Sequence, residues 1–215
     1  MVYYLSSCTF TSICNRTSEK IRDYLFQRGV NICGCCHYVQ QQFQAGDTVL
    51  FVCDACSAVT AEHSPQVKLI SLYRFLLEDP GFAWPDFGGE SITLQDAWSL
   101  RHDQDTQEAV RTCLERMNFR IVELPENREN TQFEGAARYR RRSARKLRFA
   151  PVCMGEIDRQ TLPEPEDGIE TEMKRNAARY TTSRVTAYTN NTLTGLRMGG
   201  VRAVHLLDLI ARDLD

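Results

Sequence analysis

Two hydrophobic patterns alternate along the chain. Val2-Tyr-Tyr-Leu-Ser-Ser-Cys8, Thr48-Val-Leu-Phe-Val52, Ile92-Thr-Leu-Gln-Asp-Ala-Trp98 and Arg184-Val-Thr-Ala-Tyr188 are short runs with the apolar, β-branched and aromatic character of buried strands. Ile21 to Ile32 and Val110 to Ile121 instead space their apolar residues three and four apart, turn at Gly29 or Asn118, and run on into a strand. Val67 to Asp79 and Val201 to Asp213 each read as a short strand leading into an amphipathic helix. Strands that alternate with helices predict βαβ units, hence small parallel sheets covered by helices.

The elements also repeat. Val2–Cys8 aligns without a gap on Ile92–Trp98, Ile21–Ile32 on Val110–Ile121, and Val67–Asp79 on Val201–Asp213. The expected fold is therefore α/β, with two similar halves, 1–90 and 91–215, related by pseudo-twofold symmetry. Pro80-Gly-Phe-Ala-Trp-Pro-Asp-Phe-Gly-Gly89 reads as the linker.

With 42 % hydrophobic and 25 % charged residues in 215, the composition excludes disorder, collagen and coiled coil. No apolar run reaches the roughly 18 residues needed to span a bilayer, and Met1 to Cys8 lacks the basic flank and apolar stretch of a signal peptide. A cytoplasmic location is expected, where thiols stay reduced. Nine cysteines, an odd number, then argue for metal or redox chemistry rather than disulfides. Seven of them, Cys8, Cys14, Cys33, Cys35, Cys36, Cys53 and Cys56, fall in residues 1–90.

Cys8 ends the first predicted strand, Cys35-Cys36 follow the second, and Cys53-Asp-Ala-Cys56 follow the third. Loops at the carboxyl ends of strands converge in an open α/β sheet, so these five thiols can meet. A Cys-x-x-Cys pair alone fits redox pairs, zinc knuckles and cluster sites alike. The three loops together are far more specific.

With this set, the chain resembles the cysteine-rich CCG domain family of the heterodisulfide reductase B subunit, also found in iron-sulfur subunits of glycolate oxidase and lactate-utilisation proteins. The family pattern is Cys, then Cys-Cys-Gly, then Cys-x-x-Cys, usually twice per chain. Val2 to Cys8, Gly34-Cys-Cys36 and Phe51-Val-Cys-Asp-Ala-Cys56 match the first copy. The second copy keeps the framework without the ligands: Asp96-Ala-Trp-Ser99 and Arg128-Glu-Asn-Thr-Gln-Phe-Glu-Gly135 stand at the first two motifs, and the third falls within Thr189-Asn-Asn-Thr-Leu193.

The resemblance implies a 4Fe-4S cluster, of the noncubane kind in heterodisulfide reductases, held by Cys8, Cys35, Cys36, Cys53 and Cys56. Some family members hold zinc with four of these positions, and tetrahedral thiolate coordination suits that metal too. His37 stands where the family has glycine, and with Asp54 it is a candidate to tune the potential or deliver protons. One cluster site in place of two favours single-site electron transfer, or thiol or disulfide chemistry at one centre. The expected partners are redox subunits of a complex, together with a thiol or disulfide substrate. The competing readings are a non-catalytic zinc-bound scaffold and a metal-free dithiol exchanger using Cys53 and Cys56.

The remaining signals read blandly. Cys14 and Cys33 are spare thiols, Cys113 a core residue, Cys153 a free thiol and His205 a satisfied core or edge histidine; His63 and His102 have no ligand spacing. Trp98 and Phe133 are expected to fill the volume of a second cluster. Arg138 to Arg148 carries seven basic residues in eleven, and Glu156 to Glu172 seven carboxylates. Mutual screening at the surface is expected of them, with redox-partner docking the functional alternative and no nucleic-acid binding, since no aromatic interleaving accompanies the charge. No glycine-rich nucleotide motif is present, so nucleotide cofactors belong to partners.

Overall fold

The computed structural model describes residues 1–34 and 36–214. The elements run β1 (Val2–Leu5), α1 (Cys8–Ile13), α2 (Asn15–Gln27), β2 (Asn31–Cys33), β3 (Thr48–Phe51), α3 (Asp54–His63), β4 (Lys68–Ser71), α4 (Leu72–Glu78) and β5 (Ser91–Gln95). They continue with α5 (Gln104–Arg116), β6 (Arg120–Val122), α6 (Ala144–Phe149), α7 (Pro151–Arg159), α8 (Glu166–Ala177), β7 (Val185–Ala187), α9 (Asn190–Met198), β8 (Ala203–His205) and α10 (Leu206–Ile210).

The fold is α/β with two four-stranded parallel sheets, ordered β2-β1-β3-β4 and β6-β5-β7-β8. The two sheets thus share one connectivity, as the sequence repeat predicts. β1 carries Tyr3, Tyr4 and Leu5, all buried, because a central parallel strand is covered on both faces. Ser7 caps α1, its Oγ accepting from the Phe10 amide at 3.3 Å, so the run predicted as strand to Cys8 ends at Leu5 and Cys8 opens a helix. Asp103 caps α5 in the same manner, at 2.9 Å from the Thr106 amide. The turns fall at Gly29 and Asn118, both with positive φ.

The chain divides into two compact units, 1–79 with 142–160 and Leu214, and 80–141 with 161–213. This differs from halves of 1–90 and 91–215 at Leu214, which groups with the first unit, and in two longer segments. The Pro80–Gly89 segment belongs to the second unit, where the Phe87 ring stacks on Phe119 with centroids 4.3 Å apart and Gly89 donates to the Asn118 carbonyl at 2.8 Å. Residues 142–160 return to the first unit because Ala150 and Met154 bury themselves in its core. Among the described residues, no helix is long and apolar enough to cross a membrane.

Candidate functional site

In both sheets the connection reverses direction beside the central strand, β1 or β5. The crevice beyond its carboxyl end is where open α/β sheets place ligands. In the first unit that end is rich in sulfur. Cys33 ends β2, Cys36 lies in the following loop, Cys53 caps α3 and Cys56 sits in its first turn. All four are buried in one cluster with Tyr3, Leu5, Val49 and Val59. The Cys56 thiol is hydrogen-bonded to Cys36 and Cys53, and these contacts, reinforced by burial, push it well above the ordinary thiol range. Burial pushes the Cys33 thiol up as well. Thiolates in such a place need a cation to offset their desolvation.

Of the five cysteines implied as ligands, the structure thus brings Cys36, Cys53 and Cys56 together. Cys35 lies outside the described residues. Cys8 is exposed and lines a separate cavity of about 320 Å³ with Ser6, Thr11, Arg22 and Cys33. Among the described residues, no group of three His, Cys, Asp or Glu side chains is set to hold a metal ion. The donor chemistry nevertheless suits a soft metal: three sulfurs in one bonded group, with a carboxylate beside them. That carboxylate is Asp54, itself buried, whose Oδ1 accepts from the Cys53 thiol at 3.8 Å.

Residues 142–160 pack over this region. Ala150 and Met154 join the thiol cluster, and Glu62 caps α7 by accepting from the amides of Val152 at 3.1 Å and Cys153 at 2.9 Å. His37 stacks on Phe149 at 4.0 Å between centroids, nearly parallel, and shares a hydrogen bond with Arg145 at 3.3 Å. Burial, followed by the charges of Arg145, Lys146 and His63, lowers its pKa. His63 bonds to the Phe149 carbonyl. A cavity of about 330 Å³ opens between His37, Tyr38, Gln40, Val59, His63 and Phe149, and Val59 connects its wall to the thiol cluster.

The second unit builds the same place from oxygen and nitrogen. Thr189 caps α9 as Cys53 caps α3, which puts Thr192 at the position of Cys56. Thr189 Oγ1 donates to Thr192 Oγ1 at 2.9 Å, both side chains being buried. Glu134, fully buried, accepts from the Ser99 amide at 2.7 Å and from Asn191 at 3.3 Å. The guanidinium groups of Arg101 and Arg138 both lie over the Trp98 ring, 4.1 and 4.2 Å from its centre. Asp96 receives two bonds from Arg111, at 3.1 and 2.7 Å, and one from the Tyr188 hydroxyl at 3.1 Å; Arg111 also binds Glu123 at 2.7 Å. Phe133 is buried with them.

Several participants lay outside the sequence reading. Cys33 joins the buried thiols because it pairs with Leu5 in the sheet and points to the same face; the alternation of β2 was the available signal. The basic run proves to be dispersed: Arg138 lies over Trp98, Arg140 pairs with Glu166 at 2.9 Å, and Arg145 meets His37. Cys113 and His205 are fully buried.

What these features define is an α/β protein of two doubly wound units, one with buried thiols at the carboxyl end of its sheet and one with threonines at the corresponding helix cap. Compared with protein-family models, curated proteins and solved structures, the chain matches none.

Proposed function

We propose that the chain is a single-site redox subunit of the heterodisulfide-reductase type, acting in the cytoplasm, whose first unit holds one iron-sulfur cluster through cysteine thiolates. The observation that carries this reading is the bonded, buried group of Cys36, Cys53 and Cys56 at the carboxyl end of the sheet. Cys8 and Cys35 complete the set that the family resemblance implies. When bound, such a cluster takes up one electron and gives one up, supplied and accepted here by redox partner proteins. The chain's own groups handle protons and access. Each thiol loses its proton on binding metal, and Asp54, accepting from Cys53, offers the first acceptor. α7 excludes water through Ala150 and Met154. His37 and Arg145 stand at the surface beside the second cavity, where an anionic thiol or disulfide would be met by positive charge.

Threonines in place of cysteines at the head of α9 favour an electron relay over reduction of a disulfide at two clusters. A non-catalytic zinc scaffold is the second reading, favoured by the size of the bonded group: three sulfurs and one more donor make a tetrahedral zinc site. Anaerobic purification followed by iron, sulfide and zinc determination, with visible and paramagnetic resonance spectra, separates the readings. Brown protein with about four iron and matching labile sulfide per chain is expected. One zinc and no colour supports the scaffold. Protein without metal, cycling between dithiol and disulfide at Cys53 and Cys56, overturns both.

A further inference from the structure

The cavity beside His37 has fixed walls. It lies wholly within the first unit, with a volume of about 330 Å³, at the small end of the range of about 300–1,000 Å³ usual for small-molecule sites. Glu62 and His63, adjacent at the end of α3, hold the junction of α6 and α7: Glu62 caps α7, and His63 bonds to the Phe149 carbonyl. The Phe149 ring, anchored in this way, stacks on His37, and the Tyr38 ring stands edge-on to it with centroids 6.5 Å apart. Gln40 donates to the Cys36 carbonyl at 2.7 Å and to Thr60 Oγ1 at 3.0 Å, and accepts from Ser64 Oγ at 2.9 Å. Walls fixed before binding lose little freedom on taking a ligand. Tyr38 lines the cavity with 73 % of its surface exposed, an aromatic face that the protein itself leaves uncovered.

Two cations stand at the same place. Arg145 bonds to His37 Nδ1, and because a guanidinium can only donate, that nitrogen is the acceptor and the imidazole proton sits on Nε2. The Arg148 guanidinium lies 5.5 Å from the Phe149 ring centre. Among the described residues neither arginine meets a carboxylate, whereas Arg140 meets Glu166 and Arg159 meets Glu156. Both belong to residues 142–160, which pack over the first unit from a distant part of the chain.

Charge alone would meet any anion, but the rings ask for a flat one. We infer that this cavity binds a small anion carrying a planar aromatic ring, the ring packing on Tyr38 and Phe149 and the anionic group bonding to Arg145 or Arg148, with the His37 Nε2–H as a further donor. The inference does not rest on metal at the thiols.

Isothermal titration calorimetry of the full chain tests it. The ring-bearing anions are naphthoate and adenosine monophosphate; acetate, inorganic phosphate and glutathione disulfide supply charge without an aromatic ring, and adenosine a ring without charge. At least one ring-bearing anion is expected to bind about tenfold or more tighter than every other class of probe. Binding of adenosine monophosphate alone marks a nucleoside phosphate as the ligand, and of naphthoate alone an aromatic acid. The double variant Arg145→Gln, Arg148→Gln and, separately, Tyr38→Ala should weaken that binding about tenfold, since each removes a charged or stacking contact. Arg140→Gln, outside the cavity, should leave it unchanged. No binding of either ring-bearing anion at millimolar concentration, equal or tighter binding of an anion without a ring, no loss in the cavity variants, or an equal loss in Arg140→Gln would each overturn the inference. None of these outcomes bears on the iron, sulfide or zinc content of the protein, so the two readings stand or fall separately.

Discussion

Thr189 Oγ1 and Thr192 Oγ1 stand 2.9 Å apart at the head of α9, in the two positions that Cys53 and Cys56 occupy at the head of α3. The second crevice has thus exchanged a pair of sulfur donors for a hydrogen bond that closes on itself. Thr192→Val removes the acceptor and strands the Thr189 hydroxyl in the core, a loss of about 1–3 kcal/mol in urea unfolding. Replacing both threonines by valine leaves no unpaired group, and the double variant is expected to be more stable than Thr192→Val alone.

Arg111 is held by Asp96 and Glu123, and the Asp96 side chain has no exposed surface. Arg111→Met leaves that carboxylate buried with its charge uncompensated. The expected loss is about 3–5 kcal/mol, read as a lower denaturant midpoint for the second unit.

Gly135 and Gly88 share a positive φ, 60° and 62°, but not their surroundings. A Cβ on Gly135 would lie 2.3 Å from the Asn191 carbonyl oxygen and 2.9 Å from Gly195, whereas one on Gly88 meets nothing within 4 Å. Gly88→Ala should cost only the conformational term of about 1–2 kcal/mol. Gly135→Ala adds a clash between backbones that cannot move aside, and is expected to cost at least about 1–3 kcal/mol more. Thermal unfolding of the two variants gives the comparison directly.

His205 is fully buried, its Nδ1 accepting from the Leu207 amide at 3.2 Å, and burial lowers its pKa to about 4 against an ordinary 6.5. A histidine with a lowered folded pKa contributes stability that is present above pH 6.5 and is lost as the pH falls toward 4, because the unfolded chain binds the proton first. The denaturant midpoint should therefore fall across that window, and the slope should flatten in His205→Gln.

Burial separates the cysteines by reactivity. In metal-free protein a maleimide should label Cys8 quickly, while Cys33, Cys36, Cys53 and Cys56 wait for opening of the core. Met154 is 3 % exposed and packs among those thiols, so Met154→Ala should speed their labelling while leaving Cys8 unchanged. Mass spectrometry of peptides from a time course reads both.

The sequence by itself determined the sheets. Alternating strands and amphipathic helices, repeated once, are local patterns, and each element forms where its apolar positions require, from Val2–Leu5 through Ala203–His205. It also determined where the sulfur would collect, because strand order in βαβ units brings the loops after β2 and β3 to one end. Only the tertiary structure decided what a one-dimensional pattern cannot carry. It put Cys33 with the thiols and Cys8 outside their buried group, since pairing with Leu5 and the early cap at Ser7 are matters of register and chain reversal. It assigned residues 142–160 to the first unit, a long-range packing of Met154 that no local pattern reports. It also fixed the register of the repeat within Thr189-Asn-Asn-Thr-Leu193, setting Thr189 on Cys53 and Thr192 on Cys56, because helix caps are defined by the backbone and not by the residues that occupy them.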